Sequence, residues 1–270
     1  MEKICSDVNK AYAVLELDRK IVGVKFVKSK EEFNLYSSTE LKKPLSYCVA
    51  VKSAMTGKCI KFKKETSGCG GSTVALGLDS PSEEFFNGKN GCKLGLYNNE
   101  AIAAKVAKEV YVLPNETYGV VIQPLEMFDE KPDIAIIVCN TKNMMRIVQG
   151  YSYYFGLNPN FRMSGNQAIC IECSATPIIT NDINISLLCS GTRYLAKWKE
   201  DEVAIGIPID KFSTVIEGVL QTVNSVELDD RKKAIEENLL NIGKDDFEIV
   251  YGKTYYTELE KEKRMKKSIK

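Results

Sequence analysis

Histidine is missing from all 270 residues. That absence removes Ser-His and Cys-His nucleophilic pairs, histidine-ligated metals and imidazole acid–base chemistry. Any chemistry falls to thiolates, carboxylates, lysine, tyrosine, arginine or a cofactor. An excess of charge is missing too: 37 Lys and Arg stand against 36 Asp and Glu, a net +1, so the balance calls for no nucleic-acid partner. No apolar run approaches the roughly 18 residues of a membrane helix, so no membrane partner is expected. The first residues, MEKICSDVNKAY, contain no apolar signal-peptide region. The expected location is the cytoplasm. GCGGST (68–73) lacks the lysine of a phosphate-binding loop, and G-x-G-x-x-G is absent, which argues against a nucleotide site.

What the chain has in unusual number is cysteine, nine in all. In a reducing cytoplasm these do not read as a disulfide framework. Any single one can be a small buried hydrophobe.

Short β-branched runs read as strands: IVGVKFV (21–27), CIKFKK (59–64), YGVVIQPL (118–125), PDIAIIVCN (132–140), INISLLC (183–189) and VAIGIPI (203–209). Between them lie helical patterns at 7–18, 45–56, 99–110 and 141–156. Further helices are expected at 166–176, where Pro177 would stop the run, and in DKFSTVIEGVLQTVNSVE and DDRKKAIEENLLNI. Ser80, Pro81 and Glu83 have capping-box spacing. Met144, Ile147, Val148, Tyr151, Tyr154 and Phe155 form one apolar stripe, read as a core-facing helix side. KEKRMKKSIK (261–270) reads as a solvated basic tail. The alternation predicts an α/β (mixed α+β) fold of two pseudo-symmetric halves, each a small sheet flanked by helices, followed by C-terminal helices. The expected segments are 1–113, 114–227 and a helical extension 228–270.

The halves repeat a pattern. YCVAVKSAMTGKCIKFKKETSGCGGSTVALGL aligns with AICIECSATPIITNDINISLLCSGTRYLAKW. Each block opens with a cysteine in a predicted helix, Cys48 or Cys170. Each passes a turn and a strand and closes with Cys69 or Cys189, then a small residue, glycine and Ser or Thr entering a helix. The cysteine separations are 21 and 19 residues. A pseudo-twofold axis would let Cys48, Cys69, Cys170 and Cys189 converge. A thiol at a helix start feels the helix dipole, which favours thiolate. Gly70, Gly71 and Gly191 permit close approach of a bulky cofactor. Soft sulfur ligands select zinc, Cu(I) or iron–sulfur clusters. Local Cys-x-x-Cys knuckles are usual for structural zinc; four separated ligands from two halves suit a [4Fe-4S]-type cluster better. Cys173, three residues after Cys170, is an alternative ligand.

The Tyr47–Cys48 pair, CGGSTVALGL, PDIAIIV and the INISLLCSGTR run resemble a family called domain of unknown function 169, over roughly residues 20 to 210. The resemblance implies a cytoplasmic protein and no assigned activity; Cys59, Cys92 and Cys173 are additions to its pattern. Three functions remain open. The first is an iron–sulfur protein with a redox or cluster-catalysed role on a small molecule, with Arg193 as candidate catalytic group. The second is a zinc-stabilised scaffold. The third is a thiol enzyme built on Cys69 or Cys189, whose base would be Glu, Lys or Tyr. A homodimer is the generic expectation for its assembly.

Overall fold

Seven strands form in a computed structural model that describes residues 1–251, 262–263 and 265–266. They are β1 (Val22–Val27), β2 (Thr39–Glu40), β3 (Ile60–Lys63), β4 (Gly119–Pro124), β5 (Ile134–Asn140), β6 (Asn184–Ser186) and β7 (Glu202–Pro208). All seven join one sheet in the order β2-β3-β4-β1-β5-β7-β6. Only β2 and β3 run parallel; every other neighbour is antiparallel. The chain is thus mixed α/β. The strands of the two halves are joined edge to edge in this sheet, rather than forming one small sheet for each half. β4 and β7 are buried along their whole length, and apart from Gln123 and Glu202 their residues are apolar.

The sheet obeys one pseudo-twofold, which passes between Gly23 and Ala135. Across the β1–β5 pair, Val22 faces Ile136 and Val24 faces Ile134, so exchanging 22 with 134 and 24 with 136 maps the pair onto itself. The same exchange carries Val22↔Pro124 onto Ile134↔Pro208, and Ile60↔Ile122 onto Asn184↔Gly206. It even carries the hydrogen bond from Leu125 N to Ile21 O onto that from Ile209 N to Asp133 O. Outward from the axis the order is β1-β4-β3 on one side and β5-β7-β6 on the other. β4 follows the sequence boundary at 113/114, yet in the sheet it is the counterpart of β7.

Several local expectations change. The helix Glu83–Phe86 is capped by Ser82, whose hydroxyl accepts from Phe85 N, and not by Ser80. Ser80 instead accepts from Asn115. Pro177 does not end a helix. A π-turn, Ile171–Ala175, runs directly into the helix Thr176–Thr180, with the proline in its first turn. Proline supplies no N–H to the carbonyl four residues back, that of Cys173, and a π-turn absorbs the mismatch. The apolar stripe on the helix Thr141–Phe155 is buried at Met144, Ile147 and Tyr151, while Tyr154 and Phe155 are exposed. That helix does end at Gly156, which takes a positive φ of 76°. The predicted strand 183–189 stops at Ser186, and most of the basic tail lies outside the described residues.

Contacts group the chain into two compact units. The first, built mainly from 18–141 and 159–211, holds the whole sheet. One apolar layer of that unit joins Val22, Val24, Ile122 and Ile136 of the sheet to Tyr47, Cys48, Cys170 and Cys173. The second unit comprises 2–17, 142–158 and the chain from 212 onward, and is helical in its described residues. Its helices Thr141–Phe155 and Ile209–Gln221 touch backbone to backbone: a Cβ at Gly218 would lie 2.0 Å from the Gly150 carbonyl oxygen. Beside that crossing Arg146 is buried. It donates to Glu227 at 2.7 Å, to Thr222 and to the Val219 carbonyl. The other donors and acceptors around the pair supply the hydrogen bonds that a buried ion pair requires.

Candidate functional site

Cys48 lies on the helix Tyr47–Ala54, and Cys170 immediately precedes the π-turn. Both are buried, at 7% and 8% exposure. Cys69 is the N-cap of the helix Gly70–Ala75 and is exposed; Cys189 is the N-cap of Ser190–Ala196 and is half-buried. The two halves cross. The Cys48 helix packs on the Cys189 helix, and the Cys69 helix packs on the π-turn. Tyr47, wholly buried, shares a 2.9 Å hydrogen bond with Ser174 of the π-turn. Lys52 reaches from the Cys48 helix to the Ala196 and Lys197 carbonyls that end the Cys189 helix.

The four thiols stand near enough to act on one another's charge. Burial pushes Cys48 up to about 12; Cys189 and Cys69 add to that, while the Thr192 hydroxyl and the Ile169 backbone oppose it. Cys170 is held well above the ordinary thiol range by burial, then by Cys48, Cys69 and Cys189. Cys173 is also raised, by burial first and then by Glu172 and Cys48, and its Sγ sits 4.0 Å from the Asn184 carbonyl. Cys170 therefore senses both surface thiols. For Cys173, Cys48 is the one thiol among the influences resolved. Two deep thiols and two outer ones open toward solvent on the side of Cys69. Among the described residues no three His, Cys, Asp or Glu side chains are drawn tightly enough together to hold one metal ion.

The glycines differ in what they face. A Cβ at Gly71 would meet only the Cys69 Sγ, and a Cβ at Gly191 only the Cys189 Sγ, each at 3.9 Å. A Cβ at Gly70 would meet nothing within 4 Å. Neither glycine is hemmed in by other side chains, although Cys189 itself packs against the apolar layer. The two helices they cap have only six and seven residues, so the dipole behind each is short.

Four of the five N–H donors of Arg193 go to backbone carbonyls. Nε gives to the Leu188 carbonyl at 3.0 Å, Nη1 to Lys199, and Nη2 to Leu187 and Glu202, each of the latter at 2.8 Å. Leu188 has a positive φ of 62°, strained for a branched side chain, and Cys189 follows it. Arg193 thus fixes the turn that aims Cys189, and is a positioning residue. The remaining cysteines are dispersed: Cys5 on the helix Glu2–Leu15, Cys59 before β3 at 3.8 Å from Met127 Sδ, Cys92 on Lys89–Lys93 and Cys139 buried in β5.

With this geometry in hand, the family model for domain of unknown function 169, described as uncharacterised ArCR, matches residues 12–218. The chain belongs to the DUF169 family. An uncharacterised protein of Methanocaldococcus jannaschii is 28% identical over 221 residues, 81% of this chain and 94% of that one. No solved structure matches. No described helix of this DUF169 protein is long and apolar enough to cross a membrane.

One buried titratable residue went unnoticed in the sequence. Glu172 lies inside Cys-Ile-Glu-Cys and is 2% exposed. Burial pushes its carboxyl up to about 7, against the Ser186 hydroxyl and the Ser164 N–H, which favour ionisation. A carboxylate in the apolar run NQAICIECSAT was the available signal, because acidic residues are seldom buried without purpose.

Proposed function

We propose that this DUF169 protein holds an iron–sulfur cluster, [4Fe-4S] in type, on Cys48, Cys69, Cys170 and Cys189, and that the cluster serves a redox or cluster-catalysed reaction on a small molecule. The observation carrying this reading is the crossed pairing: each half contributes one buried and one outer thiol, Cys69 exposed and Cys189 half-buried, and each deep thiol's segment packs against the other half's outer-thiol helix. Four thiols gathered without histidine select soft metals. The four come from four separate segments, unlike the paired local knuckles of structural zinc. At Gly71 and Gly191 a Cβ would meet only the neighbouring thiol, at 3.9 Å, so no other side chain crowds the approach there. When bound, a cluster would supply one-electron transfer or an iron able to polarise a substrate. The protein's own part is to supply thiolates, to hold Cys189 through Arg193, and to shield the deep side with the Tyr47 layer. The reading goes with a cytoplasmic location, where such thiols stay reduced, and with a homodimer, the commonest symmetric assembly.

The test is iron and acid-labile sulfide content, with a visible spectrum, on protein purified without oxygen. Matching iron and sulfide with a brown chromophore is the expected result. Stoichiometric zinc in colourless protein would replace the cluster with a structural site. Metal-free protein after attempted reconstitution would falsify both. Cys69→Ser, at an exposed position, is expected to lose most of the metal while the fold survives.

A further inference from the structure

The π-turn has a second side. Cys170 and Cys173 face the thiol layer, whereas Glu172 lines a solvent-open cavity of about 270 Å³ bordered by the helix Glu100–Glu109, the residues that follow it to Tyr111 and the segment 161–164. This lies near the lower bound of small-ligand pockets, which suits a molecule of few heavy atoms. Its walls are apolar at Val106, Val110, Phe161 and Ile171. Two polar groups converge on it. Glu172 is 2% exposed, and its Oε1 accepts from Ser164 N at 3.0 Å. Its Oε2 is buried without a hydrogen-bond partner. The Ser186 hydroxyl lies beside this carboxyl, but no hydrogen bond of ordinary geometry joins it to Oε2, so the carboxyl keeps capacity for a further donor.

The second group is Arg162. Its guanidinium stacks on the Tyr111 ring at 4.9 Å and gives Nη1 to the Glu109 carbonyl, which leaves Nε and Nη2 without a protein partner among the described residues. The backbone beneath it is clamped. Asn184, 1% exposed, accepts from Arg162 N and donates to the carbonyls of Arg162 and Glu172, all at 2.8 Å. One side chain thereby fixes both polar ends of the cavity. Planar guanidinium donors match a carboxylate.

We propose that this cavity binds a small carboxylic acid bearing an amino or hydroxyl group, its carboxylate on Arg162 and its donor on the Glu172 carboxyl. The site stands on its own residues and does not depend on a metal at the thiols.

The test is calorimetric titration and thermal shift of the full chain with glycine, L-alanine, L-serine, L-aspartate, L-phenylalanine, glycolate and L-lactate. At least one probe is expected to bind and raise Tm. Arg162→Ala, at an exposed position, and Glu172→Gln, which keeps the side-chain shape, are each expected to weaken that binding about tenfold or more, the worth of one charged hydrogen bond. Binding of none of the seven overturns the proposal, and so does equal affinity in wild type and both variants. Cys69→Ser protein is expected to bind the probe as wild type does, so failure of the cluster reading and failure of this one give different results.

Discussion

The two halves carry the same thiols on different supports. Aligned on Cys48 and Cys170, the first half has Ala50 where the second has Glu172, and Val51 where it has Cys173. The sheet symmetry sets Ile60 opposite Asn184 and Phe62 opposite Ser186. The first half is therefore an apolar packing on a regular helix. The second replaces it with a buried polar set on a π-turn, and its Cys-to-strand spacing is two residues longer (Cys48 to Ile60 against Cys170 to Asn184). A π-turn is how a helix takes up an extra residue, and such turns collect at functional sites. What the halves share is the thiol layer; where they differ, the second half borders a cavity at Glu172.

That contrast can be broken in order of effect. Under the cluster reading the shared feature is symmetric. Cys69→Ser and Cys189→Ser are each expected to remove most bound iron, while Cys173→Val, which installs the first-half residue, leaves iron content near wild type; metal analysis of the three checks this. The next largest effect belongs to Gly206, where a Cβ would lie 2.1 Å from the Cys173 carbonyl oxygen. Gly206→Ala is expected to cost about 3 kcal/mol or more in urea unfolding, since backbone on both sides resists the shift. Its counterpart Ile122 carries a full side chain, so the penalty is particular to the half with the π-turn.

Arg193 and its counterpart Thr73 give a smaller contrast. Arg193→Ala frees four carbonyls and is expected to cost about 2–3 kcal/mol and to lower metal occupancy. Thr73, which bonds Ser67 and the Cys69 carbonyl, should cost only about 1 kcal/mol on Thr73→Ala. The smallest effect is of opposite sign. Glu172→Gln keeps an acceptor for Ser164 N while removing a buried charge. It is expected to stabilise the metal-free protein by about 1 kcal/mol at pH 8, read from the shift in urea midpoint; a loss of stability would show that the carboxylate is better satisfied than its geometry indicates.

Much of the fold was readable because its strands are short β-branched runs bounded by turns; IVGVKFV and VAIGIPI fall within a residue of β1 and β7. The joining of the halves was not readable, because strand pairing over a hundred residues leaves no local pattern. Pro177 misled because the stop rule assumes a regular helix, and the π-turn evades it. Tyr47 and Cys48 were visible as a motif, but the bond from Tyr47 to Ser174 across the halves was not. Arg193 invited a substrate role by charge alone, whereas four of its five donors go to carbonyls that shape the Cys189 turn. The 162–172 cavity went unseen because Arg162 and Glu172 belong to different local patterns, linked only through Asn184.

The Gly23–Ala135 axis has a consequence for how such a molecule can change. Two copies of a half-length chain meeting at β1 would form an isologous dimer with this same six-strand order, each copy lending two cysteines to a shared centre. In such a dimer any new pocket comes in pairs, and any damage is doubled. A single chain carrying both halves is released from that rule, so one side can keep its old packing while the other is free to become a receptor.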